Sequence, residues 1–224
     1  MSKIVSVFGA TGDQGGSVAR ALLKDGKFKV RALTRNPNSE ASKKLKAEGC
    51  EVVKCDIAGS KQDIETAIKG SYGVFLITIS IFQDKENGKK VADACFDAGV
   101  EHLVFSSILG SLRAVILPNF NPKAEIEDHI KELSKKKPQF ISSFVHDRNE
   151  SFVTPSSSMF NQNIFKLEKR SDGVSYSISH TEQPSNIPKV EDLGPLVSSI
   201  LNDPNKYSGV VEHFPNSAPM RVVL

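Results

Sequence analysis

Apolar positions along the 224-residue chain come in short runs set apart by stretches of helical period. That alternation is the strongest signal in the sequence. Runs over 4–8, 28–33, 51–55, 74–78, 102–106 and 139–145 predict six strands. The run at 74–78 is almost continuously apolar, as expected of a strand covered on both faces. Between the runs, the spacing predicts helices over 14–25, 40–48, 61–69, 84–98 and 123–136. Their inward stripes are Val18, Ala21 and Leu22; then Leu45; then Ile64, Ala67 and Ile68; then Val91, Cys95 and Ala98; and finally Ile126, Ile130 and Leu133. Gly26, Gly49 and Gly70 stop helices, and Ser39 and Ser60 stand where capping hydroxyls belong. Gly88 falls inside the fourth helix, where a glycine costs about 1 kcal/mol relative to alanine.

Strand and helix alternating as far as residue 106 predict an α/β fold, a Rossmann-type doubly wound and mostly parallel sheet. Residues 1–145 form its expected core. The stretch 109–120 reads as loop with a short helical turn. Residues 146–189, rich in Ser, Asn and Pro, predict long loops with one short strand over 174–178. A last helix over 190–201 turns Leu193, Leu196, Val197 and Ile200 inward, and a strand over 209–214 precedes a short tail. The expectation is a single domain over 1–224 in which 146–224 make an irregular, reduced C-terminal lobe packed on the core. There is no internal repeat.

The first strand runs into Gly9-Ala10-Thr11-Gly12-Asp13-Gln14-Gly15 and then straight into a helix. In that context the three glycines serve a tight strand exit, close approach of a pyrophosphate and close helix–strand packing. Residues 9–15 are therefore the candidate dinucleotide loop. Arg35 and Asn36 lie about 20 residues beyond Gly15, where a site selective for NAD usually places a carboxylate. A guanidinium forks to a 2′-phosphate instead, so the expected cofactor is NADP(H). Asp56 and Ile57 close the third strand, either beside the adenine or as a turn cap. Thr78, and Ser106 with Ser107, close the fourth and fifth strands on the same edge. Lys123 opens the following helix and is the lysine placed to reach the ribose and nicotinamide, if it is more than a surface residue. It is the one candidate catalytic residue.

Hydride transfer to a carbonyl also needs a proton donor, commonly a Tyr with a Lys one helical turn later. Tyr72, Tyr176 and Tyr207 are followed at that spacing by Leu76, His180 and Val211. That pair is absent, and whether the chain is an enzyme stays open. The five histidines form no ligand-spaced cluster, so no metal is expected.

Composition sharpens this picture at three points. The three cysteines, Cys50, Cys55 and Cys95, include no Cys-x-x-Cys pair, which predicts free, buried thiols in a reducing compartment; the expected location is the cytoplasm, and also the nucleus. Residues 1–56 carry 11 Lys and Arg against 6 Asp and Glu, and the remainder 18 against 20. A basic first part suits an anionic ligand but is too modest for a nucleic-acid surface. No run approaches the ~18 apolar residues of a membrane span.

Val7-Phe8-Gly9-Ala10-Thr11-Gly12-Asp13-Gln14-Gly15-Gly16-Ser17-Val18-Ala19-Arg20 and Phe28-Lys29-Val30-Arg31-Ala32-Leu33-Thr34-Arg35-Asn36-Pro37 resemble the NmrA-like family, atypical members of the short-chain dehydrogenase/reductase superfamily. The likeness continues through Glu51-Val52-Val53-Lys54-Cys55-Asp56, through Asn119-Phe120-Asn121-Pro122-Lys123-Ala124-Glu125-Ile126-Glu127, and at Val190-Glu191-Asp192-Leu193-Gly194-Pro195. It implies that residues 9–15 hold the pyrophosphate, Arg35 the 2′-phosphate, and Asp56 and Ile57 the adenine. It also implies that Lys123 matches the lysine that related reductases use near the nicotinamide. Sensor-like members of the family lack the tyrosine and act in transcriptional regulation through a protein partner or self-association; the alternative is an NADPH-dependent reductase of a small carbonyl, quinone or phenylpropanoid-like substrate. The chain departs from the family over 144–152 and at Glu86, where a family lysine is expected.

Overall fold

A computed structural model describes residues 2–78, 84–108, 121–147, 167–169, 176–178, 190–213 and 221–223. Its centre is an eight-stranded sheet. Strand β1 (Lys3–Val7) pairs in parallel with β2 (Phe28–Thr34) on one side and β4 (Gly73–Leu76) on the other. β3 (Glu51–Lys54) lies outside β2. Beyond β4 come β5 (His102–Ile108), β6 (Ile141–Asp147) and β9 (Gly209–His213), all parallel, and the antiparallel edge strand β10 (Arg221–Val223). The order β3-β2-β1-β4-β5-β6-β9-β10 reverses direction between β1 and β4, which makes that point the switch where ligands bind in doubly wound sheets.

Both faces of the sheet are covered, and side-chain alternation shows why. Phe75 and Val104 pack with Val18, Leu22, Leu196, Val197 and Ile200 of α1 (Asp13–Asp25) and α6 (Val190–Asn202). Their neighbours Val74, Leu76, Leu103 and Phe105 turn to the other face. There they meet α3 (Lys61–Ile68), α4 (Asp84–Asp97) and α5 (Asn121–Lys136) through Ile64, Ile68, Val91, Cys95, Ile126 and Ile130. The shorter α2 (Glu40–Ala47) contributes Leu45 to the first face.

The helix boundaries follow their capping chemistry. The Ser39 hydroxyl accepts from the Ser42 N–H (3.2 Å), and the Ser60 hydroxyl from the Asp63 N–H (3.1 Å). Gly26 ends α1 in the left-handed region with φ +72°. Gly88 sits under Ile126: a Cβ there would collide with Cδ1 and lie 2.7 Å from Cγ1. The helix-weakening glycine is thus the point where α4 and α5 come together.

Several elements differ from the sequence expectation. β4 ends at Leu76, leaving Thr78 beyond the strand, β5 runs two residues further than expected, and β6 both begins and ends two residues later than expected. The short strand expected at 174–178 is β8 (Tyr176–Ile178), and its antiparallel partner β7 (Leu167–Lys169) is one the sequence did not suggest. The tail carries β10. The sheet also runs past residue 145: β9 pairs with β6, and α6 lies along α1 within the same core. The Gly194 N–H donates to Ser17 Oγ (3.1 Å), while Asp25 accepts from Asn202 Nδ2 (2.6 Å) and Ser198 Oγ (3.2 Å). The helical turn expected within 109–120 lies outside the described residues. Among the described residues no helix is long and apolar enough to cross a membrane, and no cluster of His, Cys, Asp and Glu could hold a metal.

Candidate functional site

The chain leaves β1 through Phe8 and turns at Gly9, whose φ of +65° is one that glycine adopts without strain. The Gly12 N–H donates to the Gly9 carbonyl (2.9 Å) and the Gly16 N–H to the Gly12 carbonyl (2.8 Å), closing the turn into α1. Gly15 has no room for a side chain, since a Cβ would collide with the Gly9 carbonyl oxygen and lie 2.7 Å from that of Phe8. Gly12 at the N-cap offers no capping side chain, unlike Ser39 and Ser60 at α2 and α3. The first N–H groups of α1 therefore suit an anion seated at the glycine turn. Asp13 is exposed in that first turn. Its carboxylate has a phosphate's own sign, so residue 13 would serve an anion through its backbone N–H. Ala10 is buried and Thr11 exposed, while Gln14 accepts from Ser106 Oγ (2.9 Å) and ties α1 to the end of β5.

Two arginines, Arg31 in the middle of β2 and Arg35 just beyond its end, divide their tasks. Arg31 is committed to structure: its Nε donates to Glu51 (2.9 Å), and its Nη1 to the carbonyls of Ala67 (3.0 Å) and Lys69 (2.9 Å). Arg35 is exposed and makes no ion pair among the described residues. Asn36 shapes the turn beside it, with Oδ1 accepting from the Asn38 N–H (3.1 Å) and its own N–H donating to Thr34 Oγ1 (3.2 Å). Beyond β3, Asp56 Oδ1 accepts from the Ala58 N–H (3.0 Å), a turn-capping contact that leaves Oδ2 outside that bond. Ile57 is half-buried next to it.

On the other side of the switch point stands Thr78, 5% exposed, whose Oγ1 has no hydrogen-bond partner among the described residues. A buried hydroxyl without a partner is uncommon and suits a site completed by a ligand. At the end of β5, Lys123 Nζ donates to the Ser106 carbonyl (2.8 Å) and stands 5.5 Å from the Phe105 ring centre. Ser107 Oγ donates to Glu127 Oε2 (2.8 Å), and Lys131 Nζ to Glu127 Oε1 (2.7 Å). Sequence reasoning missed Glu127. The signal was the spacing of Lys123, Glu127 and Lys131, one helical turn apart on α5.

These positions converge. Residues 9–15, Arg35, Asn36, Asp56, Ile57, Thr78 and Lys123 all lie at or just beyond the carboxyl ends of β1 to β5 or at the starts of the helices that follow. The residues fit a dinucleotide: a helix start without a capping side chain, a turn in which side chains would clash, and a guanidinium without an ion pair and a buried hydroxyl without a partner among the described residues. The cysteines take no part. Cys50, Cys55 and Cys95 are buried and unbridged, and burial pushes the thiols of Cys50 and Cys55 up to about 11 and that of Cys95 higher still.

The sequence pattern of the NmrA-like family matches residues 1–219. The chain belongs to that family. An NmrA-like family domain-containing protein of Dictyostelium discoideum is 40% identical over 236 residues, covering 100% of this chain and 76% of its own length. An NmrA-like family domain-containing oxidoreductase, notA of an Aspergillus species, is 47% identical over 117 residues, covering 48% of this chain. That match spans only 34% of the Aspergillus protein. Among solved structures, NmrA, a negative transcriptional regulator, in complex with NADP superposes with a TM-score of 0.68 at 20% identity, over 96% of this NmrA-like chain and 67% of that one. This likeness fixes the fold, and the Rossmann-type sheet is the one expected from the sequence.

Proposed function

We propose that the chain holds NADP(H) at the glycine turn and works as a regulatory redox sensor, its affinity for a protein partner following dinucleotide occupancy. Arg35 carries the reading: an exposed guanidinium without an ion pair among the described residues stands just beyond β2, where Rossmann-type sites discriminate between the two dinucleotides. The pyrophosphate would sit on the N–H groups at the start of α1. Arg35 and Asn36 would hold the 2′-phosphate, and Asp56 with Ile57 would border the adenine. Thr78 and Lys123 would face the other half of the molecule. When bound, NADPH supplies a hydride at its nicotinamide ring. What this chain lacks is the Tyr-x-x-x-Lys pair that would deliver the matching proton. The NADP complex of NmrA, a negative transcriptional regulator, supports dinucleotide binding joined to a regulatory role.

A signal requires that the two ligand states differ in partner affinity. Calorimetric titration with NADPH and NADH is the direct test. NADPH should bind more tightly, and Arg35→Ala should remove that preference on the order of tenfold. Equal binding of both by the unaltered chain sinks the cofactor assignment. A partner whose affinity is the same with and without NADPH sinks the sensor.

A second reading, a reductase of a small carbonyl or quinone, is favoured by Lys123, whose ammonium is held on the Ser106 carbonyl, and by the oxidoreductase name of the Aspergillus relative. Substrate-dependent NADPH oxidation that disappears in Lys123→Met would establish it, and a flat trace across carbonyls and quinones would remove it.

A further inference from the structure

The end of β5 carries a buried polar arrangement that the proposed function leaves unused. Glu127 is 1% exposed on α5, yet it is a carboxylate and stands beside the apolar stripe of Ile126 and Ile130. A charge so placed is tolerated only when paired and hydrogen-bonded. Lys131 donates to one oxygen and Ser107 to the other. The consequence falls on Ser107. A hydroxyl has one hydrogen, and here it goes to Glu127, so the remaining lone pairs of Ser107 Oγ can only accept. Ser106 is set in the same way, since its hydrogen goes to Gln14 Oε1. Its carbonyl accepts from Lys123. The tip of β5 therefore offers two hydroxyl acceptors beside one ammonium, and neither serine has a hydrogen left for a ligand.

Topology decides which part of a ligand meets this tip. With the pyrophosphate at the start of α1 and the adenosine half over β2 and β3, the other half must extend over β4 and β5, across the switch point. That half carries ribose hydroxyls and a carboxamide N–H₂, which are donors. We propose that Glu127 is a positioning residue: by taking the Ser107 hydrogen, it fixes that serine as an acceptor for the nicotinamide half of the dinucleotide. This rests on the NADP(H) reading above.

The experiment compares two probes, NADPH and adenosine 2′,5′-bisphosphate, which keeps the adenosine half and lacks the nicotinamide. Both are titrated into the full chain and into Glu127→Gln, Ser107→Ala and the double variant. Glu127→Gln replaces an acceptor by a group that can also donate and turn the serine around. Ser107→Ala removes one hydroxyl and guards against a folding defect in the first variant. Each single change should weaken NADPH on the order of tenfold, the double variant should be no weaker than either, and the bisphosphate should bind all four proteins alike. Unchanged NADPH binding overturns the proposal, as do additive losses. So does a parallel loss of both probes, the mark of a merely structural role. If the unaltered chain binds neither probe, the dinucleotide reading itself falls, an outcome distinct from failure of the variants alone.

Discussion

His102 is a residue whose chemistry the fold alters strongly. It lies at the start of β5 with no exposed surface, and its Nε2 is 2.8 Å from Ser143 Oγ. Ser143 gives its own hydrogen to the Tyr207 carbonyl (2.6 Å), so the imidazole must be the donor in that pair. Nδ1 has no partner among the described residues. Burial, with a smaller contribution from Lys3, pushes the imidazole down to about 4 from its ordinary 6.5. The folded protein thus keeps His102 neutral while the unfolded chain protonates it, and the unfolded state binds more protons as pH falls. Its contribution to stability is complete above about pH 6.5 and is lost as pH falls toward 4, a change of about 3 kcal/mol at the limit. Urea unfolding at pH 7, 5.5 and 4.5 should show this loss, and His102→Leu should show a smaller one. Carboxylates such as the half-buried Glu125 and the exposed Glu132, held low by Lys85 and Lys135, titrate equally in both proteins and drop out of the comparison. Identical pH slopes would mean that His102 does not titrate on unfolding.

At the scale of elements, the helices and long strands could be read because period, cap and stop agreed at each of them. Ser39, Ser60 and Gly26 stand where such residues belong, and the structure gives each that role. β7 and β10 could not be read, since a three-residue strand contains barely one alternation. Glu127 was hidden for the opposite reason: on a helix whose apolar stripe is clear, a neighbouring charge reads as the start of the solvent face. The glycines of α4 and α6 show what local reading misses. In an open helix either would gain up to about 1 kcal/mol on replacement by alanine. Here a Cβ at Gly194 would collide with the Ser17 carbonyl oxygen and lie 2.8 Å from Ala21 Cβ, whereas at Gly88 its three nearest atoms all belong to the Ile126 side chain. Backbone of a packed helix cannot yield as an Ile side chain can. Gly194→Ala should therefore lose about 1–3 kcal/mol in equilibrium unfolding, and Gly88→Ala distinctly less. The reverse order would show that the α1–α6 seam is looser than its contacts imply.

On the scale of the whole molecule, the candidate site belongs to one edge of the sheet and to both of its faces. The glycine turn and α1 stand on one face; Lys123, Ser107 and Glu127 come from β5 and α5 on the other. The ligand edge was legible because strand ends can be counted from sequence. The bonds across it, Gln14 to Ser106 and Lys123 to Ser106, were not, because each joins residues brought together only by the parallel crossover. A dinucleotide spanning this edge would join α1, the ends of β2 and β3 and the tip of β5, and would do so only in the folded chain. Mass action then stabilises the protein by about 2.7 kcal/mol when free ligand is 100 times Kd. For a chain of this size that corresponds to a rise in Tm of roughly 5–10 °C. Scanning the unaltered protein at increasing NADPH should give this rise. Arg35→Ala should need a higher concentration to reach the same shift, because the variant changes Kd and leaves the linkage intact. Adenosine 2′,5′-bisphosphate, compared at equal multiples of its own Kd, should raise Tm equally, since linkage counts only the free energy of binding. A shift that persists unchanged in Arg35→Ala at every NADPH concentration would place the 2′-phosphate elsewhere on the sheet edge.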